Sequence, residues 1–400
     1  MSNRTIQLFL VIASSILNLV ATDILLPSLP QMAKSFAVSA TDVKMLISFF
    51  MLGQFATVLI WGIVADKFGK RRALLFGMLV FLAGSLLSLR AHSINLLLLC
   101  RLLQGAGGVV VPVAGWALVQ DLFPKNESAR IMAWIGTLVA IIPLFAPALG
   151  GKIDVLYGWQ TNLYCIAIAS AILCLCFILL PGNNQGASQL NNPSLKTRLH
   201  IYTVIIRNKT FISYITLFGL LNCGEWCFLT VAPFYYHHVH IPADKMGLLL
   251  MLTSIGFVIG SLLASKLIKC WGIDKTIILG IQLAICSSCL LLVGEYSSWS
   301  EYQYYNATDL ALYILSSALL WSGTTSRALQ CFADYRGAAS AIRSLILLCF
   351  ASLGTYVGSL LDHTSLYPIG FFLLLTAVAA LKVFYNKELK SERLSEDIAY

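Results

Sequence analysis

Charge is scarce in this chain. Acidic and basic side chains make up only 11% of 400 residues, with 18 Asp and Glu against 27 Lys and Arg. A soluble domain carries about 25%, so an ordinary soluble globular protein is excluded. The sequence also lacks the common enzyme motifs. It contains no Gly-x-Ser-x-Gly, no phosphate loop of the Gly-x4-Gly-Lys type and no metal-protease helix. An enzyme is therefore not expected, and neither is ATP as an energy source. The eleven cysteines lack metal-site spacing. Cys165, Cys174, Cys176, Cys286 and Cys289 fall within apolar runs and are expected to be buried small hydrophobes. Cys223 and Cys227 lie one helical turn apart, where shared burial is favoured over a metal or a disulfide. His237, His238 and His240 are close enough to consider a metal, but a solvated loop explains them better. No cofactor or metal is expected.

Apolar sequence fills the space that charge leaves. The chain is 58% hydrophobic, with a mean hydropathy of +0.81. Twelve apolar stretches lie near 6–29, 44–65, 73–91, 94–119, 130–151, 160–181, 210–235, 245–267, 275–294, 307–328, 338–361 and 367–385. Each is about 18–25 residues, enough to span a bilayer. The run after Arg4 is too long for a signal peptide and shows no small-residue cleavage site, so it is expected to remain as the first span. Placing the N-terminus inside leaves 19 of the 27 Lys and Arg in cytoplasmic segments, five in outer segments and three within spans. That asymmetry orients the chain with both termini cytoplasmic. It also accounts for the net charge of +9 without nucleic acid.

The stretch 181–193, PGNNQGASQLNNP, is polar and is followed by Lys196, Arg198, Arg207 and Lys209. It is expected to be a flexible, basic linker. The expected organisation is an N-terminal six-helix bundle at 1–181, a linker at 182–209, a C-terminal six-helix bundle at 210–385 and a tail at 386–400. This is an all-α membrane protein of twelve transmembrane helices in two pseudo-symmetric bundles.

A few charges lie inside the apolar runs. Asp23 sits in the first span, where a carboxylate costs roughly 3 kcal/mol on insertion scales. It persists only if it faces protein or a water-filled cavity, and it can carry a proton because desolvation disfavours the charged form. Glu225 occupies the counterpart span, in Asn222-Cys223-Gly224-Glu225-Trp226. It is a second proton or cation site, or a hydrogen-bonded packing residue. Arg101 in the fourth span either snorkels outward or faces a cavity and pairs with an acid such as Asp23. Arg343 pairs with Glu225, attracts an anion through its planar fork or meets lipid headgroups. Arg327 is nearer a helix end, where snorkelling is favoured. Asn18, Gln54, Gln104 and Gln282 line a cavity or bridge helices. Trp226, Phe228, Phe234, Tyr235 and Tyr236 stack on a ligand or form an interface belt.

Four motifs point to a family. Between spans two and three the chain reads Gly62-Ile-Val-Ala-Asp66-Lys-Phe-Gly69-Lys70-Arg71-Arg72. This resembles the signature loop of the major facilitator superfamily. Its glycines suit a tight turn and close helix approach, and its acid suits a helix N-terminus. A weaker copy lies at Gly260 to Gly272, with Ser265 in place of the acid. Arg101 with Gln104, Gly105, Gly107 and Gly108 resembles the family's fourth-span motif. Gly136, Pro143, Pro147, Gly150 and Gly151 resemble the antiporter signature of drug/proton exchangers, with Ala146 where that pattern has glycine. The usual Gly-Trp-Arg continuation appears as Gly158-Trp159-Gln160. Asp23 followed by Pro27 is similar to the first span of the Bcr/CflA-like drug/proton antiporters, and Gly337-Ala-Ala-Ser340-Ala341 is also seen in that group.

The resemblance implies a multi-pass transporter in the bacterial inner (cytoplasmic) membrane. It would act as a monomer on a small molecule and couple to protons by rocker-switch alternating access. Export of a small, partly hydrophobic compound by proton antiport is the leading expectation. Proton-coupled uptake of a polar metabolite or siderophore is the first alternative. A transporter-fold sensor or interaction protein is the second. Asp23, Arg101 and Glu225 are the expected proton-coupling residues. Asn18, Gln54, Gln104, Asn222, Trp226, Phe228 and Arg343 form the expected substrate cavity. Gly62, Asp66, Gly69, Arg71, Pro143, Pro147, Gly150 and Gly151 form the expected conformational motifs.

Overall fold

The computed structural model describes residues 3–180, 195–297, 303–332 and 335–398. Among the described residues all regular structure is helical. Eleven helices or helix pairs are long and apolar enough to cross a membrane. The twelfth expected span is the helix Gln303–Gln330. It is long enough, but Asp309 and its serines and threonines leave it less apolar than the others. The polar stretch 181–193 lies outside the described residues. The basic sequence after it forms a helix, Leu195–Arg207, rather than flexible chain. Ile205, fully buried, anchors this helix in the protein, and its neighbour is the helix Arg336–Leu360.

The chain forms two compact units. The first comprises Met1–Asn192 with Leu229–Met251, and the second Pro193–Phe228 with Leu252–Tyr400.

In the first unit, α1 (Asn3–Asp23) is followed by a 3-10 turn at Leu26–Ser28 and by α2 (Leu29–Phe36). The break has a covalent cause. Pro27 lacks an N–H, and its ring clashes with the carbonyl four residues earlier, which belongs to Asp23. The helix therefore ends at the acid. Next come α3 (Ala40–Phe68), α4 (Lys70–Ser88) and α5 (Ile94–Gly108). A capping box opens α3, with Ser39 and Asp42 exchanging side-chain and backbone hydrogen bonds of 3.2 Å. A π-helical turn at Val111–Gly115, which contains Pro112, separates α5 from α6 (Trp116–Leu122). α7 (Lys125–Tyr157) carries Pro143 and Pro147 inside it, and α8 (Gln160–Leu179) completes this part of the unit.

Gly69 joins α3 to α4 with φ +90°, a region glycine enters freely. The turn is thus the reason for that glycine. Gly62 is different. A side chain there would meet open space, so the expected close helix approach does not explain it. Asp66 is exposed near the end of α3. Arg71 donates 2.8 and 2.7 Å hydrogen bonds to the carbonyls of Phe177 and Leu180, at the C-terminal end of α8. A cation is favourable there.

The second unit begins with α9 (Leu195–Arg207) and the first part of α10 (Lys209–His238). Most of α11 (Ala243–Trp271) follows, then α12 (Ile273–Tyr296), α13 (Gln303–Gln330), α14 (Arg336–Leu360) and α15 (Tyr367–Ile398). Gly272 joins α11 to α12 with φ +86°, matching Gly69 in the first unit. Ion pairs repeat the correspondence with the charges exchanged. Lys70 on α4 meets Asp121 on α6 at 2.5 Å, whereas Asp274 on α12 meets Arg327 on α13 at 3.0 Å. Arg327 is therefore held by an acid, which its expected role as a snorkelling residue did not include.

The cysteines divide by helix face. Cys100, Cys174, Cys223 and Cys227 are buried. Cys165, Cys286 and Cys289 are exposed, contrary to the expected burial. On helices of a membrane protein the outward face is itself apolar, so a small hydrophobe fits there equally well. Cys223 and Cys227 are both buried free thiols.

Candidate functional site

The break after α1 organises the polar site of the first unit. Asp23 closes α1 and is 7% exposed. Arg101 on α5 is 1% exposed, which rules out snorkelling. Its Nη1 donates to the carbonyl of Ala21 at 3.0 Å and to Gln104 Oε1 at 2.9 Å. The guanidinium lies over the Phe50 ring, 4.4 Å from its centre. Asp23 acts on it electrostatically. Gln104 is completely buried and passes the chain on, donating to Ser85 Oγ at 3.1 Å. A connected string thus runs from the end of α1 through Arg101 and Gln104 to α4. Burial in a low-dielectric setting makes such a string strong when it is satisfied.

Small residues make this arrangement possible. A side chain at Gly105 would overlap the Phe50 carbonyl, so α3 and α5 approach closely where Arg101 stacks. One at Gly108 would overlap the Asn18 amide oxygen. Asn18 is half-buried on α1, and its Oδ1 has no hydrogen-bond partner among the described residues. Gln54 is buried on α3.

The motif on α7 meets the same break. A side chain at Gly150 would overlap the Ile24 carbonyl, immediately after Asp23. Gly151 packs with equal closeness on Ala243. Asn162 on α8 donates to the Gly150 carbonyl at 3.1 Å and to Ser28 Oγ at 3.3 Å. Beside the break is a cavity of about 450 Å³, lined in part by Pro27, Gln31, Asp154, Trp159, Gln160 and His237. Gln160, at the position of the usual arginine, therefore faces open space.

The second unit has its own polar cluster. Glu225 on α10 accepts from Ser317 Oγ at 3.2 Å and also bonds the Asn222 side chain. Arg343 on α14 places its guanidinium over Trp321, 4.4 Å from the ring centre. Trp321 in turn packs edge-on against Phe218 at 4.9 Å. Ser317 and Trp321 are four residues apart on α13, about 6 Å of helix rise, so Glu225 and Arg343 contact successive turns of that helix. Arg343 stacks where pairing with Glu225 was one expectation. Gly224 lies under the Tyr313 hydroxyl, which shares a 3.0 Å hydrogen bond with Thr376. Trp226 is half-buried, whereas Phe228 at 1% exposure has no face left for a ligand.

Lys44, Asp154 and Asp309 are buried charges outside the expected site residues, and Asp154 lines the cavity described above. Lys44 is 1% exposed, with its ammonium 5.5 Å from the centre of the Phe234 ring. Its place at the edge of an apolar stretch gave it the look of an ordinary flanking cation. Asp309 is 7% exposed on α13. Its signal was an acid within a stretch already recognised as a span.

Comparison with known proteins fits this geometry. Residues 11–329 and 220–398 match the Major Facilitator Superfamily. The chain is 24% identical over 388 residues to "Multidrug resistance protein MdtL" of Shewanella sp. (strain ANA-3), covering 94% of this chain and 93% of that one. It is also 24% identical over 382 residues to a "Bicyclomycin resistance protein homolog" of Haemophilus influenzae, covering 92% and 93%. In fold it is similar to the crystal structure of a D-xylose-proton symporter, with a TM-score of 0.74 at 13% identity, covering 96% and 98%. A polytopic all-helical chain carries the family's loop, its fourth-span arginine and its fifth-span prolines and glycines, and the match extends through both halves: the protein is a multi-pass membrane transporter belonging to the major facilitator superfamily.

Proposed function

We propose that this transporter exports a small, partly hydrophobic compound in exchange for protons. The observation that carries the reading is Arg101, 1% exposed and bonded to the last turn of α1 beside Asp23. A proton arriving on Asp23 removes a negative charge and weakens its attraction for Arg101 or for a cationic ligand. Loss of the proton restores that attraction. Proton and substrate binding are then coupled, and each must alter the other's affinity by the same factor. The break at Pro27 leaves this acid at an end of helical structure, with Gly150 packed against the next residue, Ile24. The resistance proteins among the relatives support a drug-like cargo. The distribution of basic residues supports an inner-membrane location with both termini cytoplasmic.

Uptake of a polar metabolite or siderophore is the second reading. The cluster of Glu225 and Arg343 favours it, because two charges exceed what an apolar cargo needs.

Purified protein in vesicles with an imposed pH gradient distinguishes the readings, with bicyclomycin and a panel of lipophilic cations as first probes. Antiport gives substrate movement opposite to proton movement. Movement in the same direction overturns export in favour of uptake. An absence of flux across both drug-like and polar panels points to a sensor or interaction protein.

A further inference from the structure

We propose that Asp309 is a further protonation site, distinct from Asp23 and Glu225, holding a proton as the neutral acid in the conformation described here. It belongs to the second unit, on α13, and its assignment does not depend on the direction of transport or on the role of Asp23.

The argument begins with burial. Asp309 is 7% exposed, and neither carboxyl oxygen has a hydrogen-bond partner among the described residues. A charged carboxylate in that setting would lose its hydration and gain little in return, because burial outweighs the single hydroxyl nearby. Such groups neutralise rather than remain ionised. The nearby hydroxyl offsets the deficit only in part. Ser287 on α12 donates to the backbone carbonyl of Asp309 at 2.9 Å and also acts on its carboxyl, so one neutral hydroxyl is divided between two acceptors. Ser288, also on α12, is committed to the Ala284 carbonyl at 2.8 Å.

The surrounding groups carry no compensating positive charge. Among the described residues no Lys, Arg or His forms an ion pair with Asp309. The titratable neighbour on its own helix is Tyr305, one turn earlier, which acts on it electrostatically. The Tyr305 hydroxyl donates to the Leu290 carbonyl at 2.7 Å. From α11 the contact is Gly256 against Ala311, which brings backbone and no charge. Of the two acids on α12, Asp274 is paired with Arg327 and Glu295 accepts from the Leu366 N–H at 3.1 Å.

Packing holds the carboxyl in this place. Ala307 and Leu310, on either side of it, are fully buried, and α13 cannot turn without separating Ala311 from Gly256. Release of the proton therefore requires α11, α12 and α13 to part or water to enter. That links the charge on Asp309 to a conformational step.

Infrared difference spectroscopy of the full chain in lipid vesicles tests the proposal. A C=O stretch of a protonated carboxyl is expected at neutral pH, absent from D309N and retained in D23N. A potentiometric titration from neutral to strongly alkaline pH should release about one proton fewer from D309N than from the native protein. D309E covers a failure of D309N to accumulate, because it keeps the acid and should shift the band rather than remove it. Spectra unchanged by either substitution would overturn the proposal. So would a band abolished by adding sodium at constant pH, which would make this a metal-cation site.

Discussion

Replacing Arg101 with methionine is expected to destabilise the protein by about 3–5 kcal/mol, the usual cost of removing one partner from a buried charged arrangement. The side chain is 1% exposed and serves three groups at once: the Ala21 carbonyl, the Gln104 amide oxygen and the Phe50 ring. Methionine fills similar space but donates nothing, and Asp23 loses a nearby cation. Lysine keeps the charge yet lacks the planar fork that bonds and stacks together, so R101K should fall between methionine and native. The informative variant is the double substitution. Asn at position 23 needs no counter-charge, so D23N with R101M should be more stable than the sum of the single effects allows. Thermal unfolding in detergent reads this as a midpoint above the additive value. Strict additivity would mean that Asp23 and Arg101 are not coupled.

A valine at Gly150 should be nearly as damaging, for a different reason. The first carbon of any side chain there overlaps the Ile24 carbonyl oxygen. Neither partner is a flexible chain end, so α7 must move away from the break that follows Asp23. Overpacking of this kind costs about 1–3 kcal/mol. The effect on transport should exceed the effect on folding, because the displaced segment carries the proposed proton site. Gly136 in the same α7 motif and Gly62 on α3 provide controls. A side chain at either position meets open space, so G136A and G62A should transport as the native protein does. Vesicle flux by G150V equal to that of the controls would remove the fifth-span motif from the mechanism.

The sequence made the spans legible because bilayer crossing demands length and low charge, and both are local properties. Asp23 was legible for the same reason, and its helix break follows from Pro27 alone. Arg101 and Gln104 were visible as a pair because one turn of helix separates them. Their partners were not. Ala21 contributes a backbone carbonyl, and Phe50 is one of 21 phenylalanines with nothing to distinguish it in the sequence. Facing decides the rest. Phe228 and Trp226 are two residues apart, yet only the tryptophan retains an exposed face. Lys44 and Asp309 resemble span-edge charges until tertiary packing covers them. Arg327 and Asp274 are 53 residues apart in sequence, so their pairing is a property of the folded unit.

The central claim is that Asp23 couples proton movement to substrate movement. Its most direct test is flux through D23N in vesicles, compared with native protein under the same imposed pH gradient. Substrate exchange without a gradient serves as the check that the variant is folded and binds. Gradient-driven flux should fall to the level of protein-free vesicles while exchange persists. Native-level gradient-driven flux in D23N would contradict the account and place proton coupling on another carboxyl.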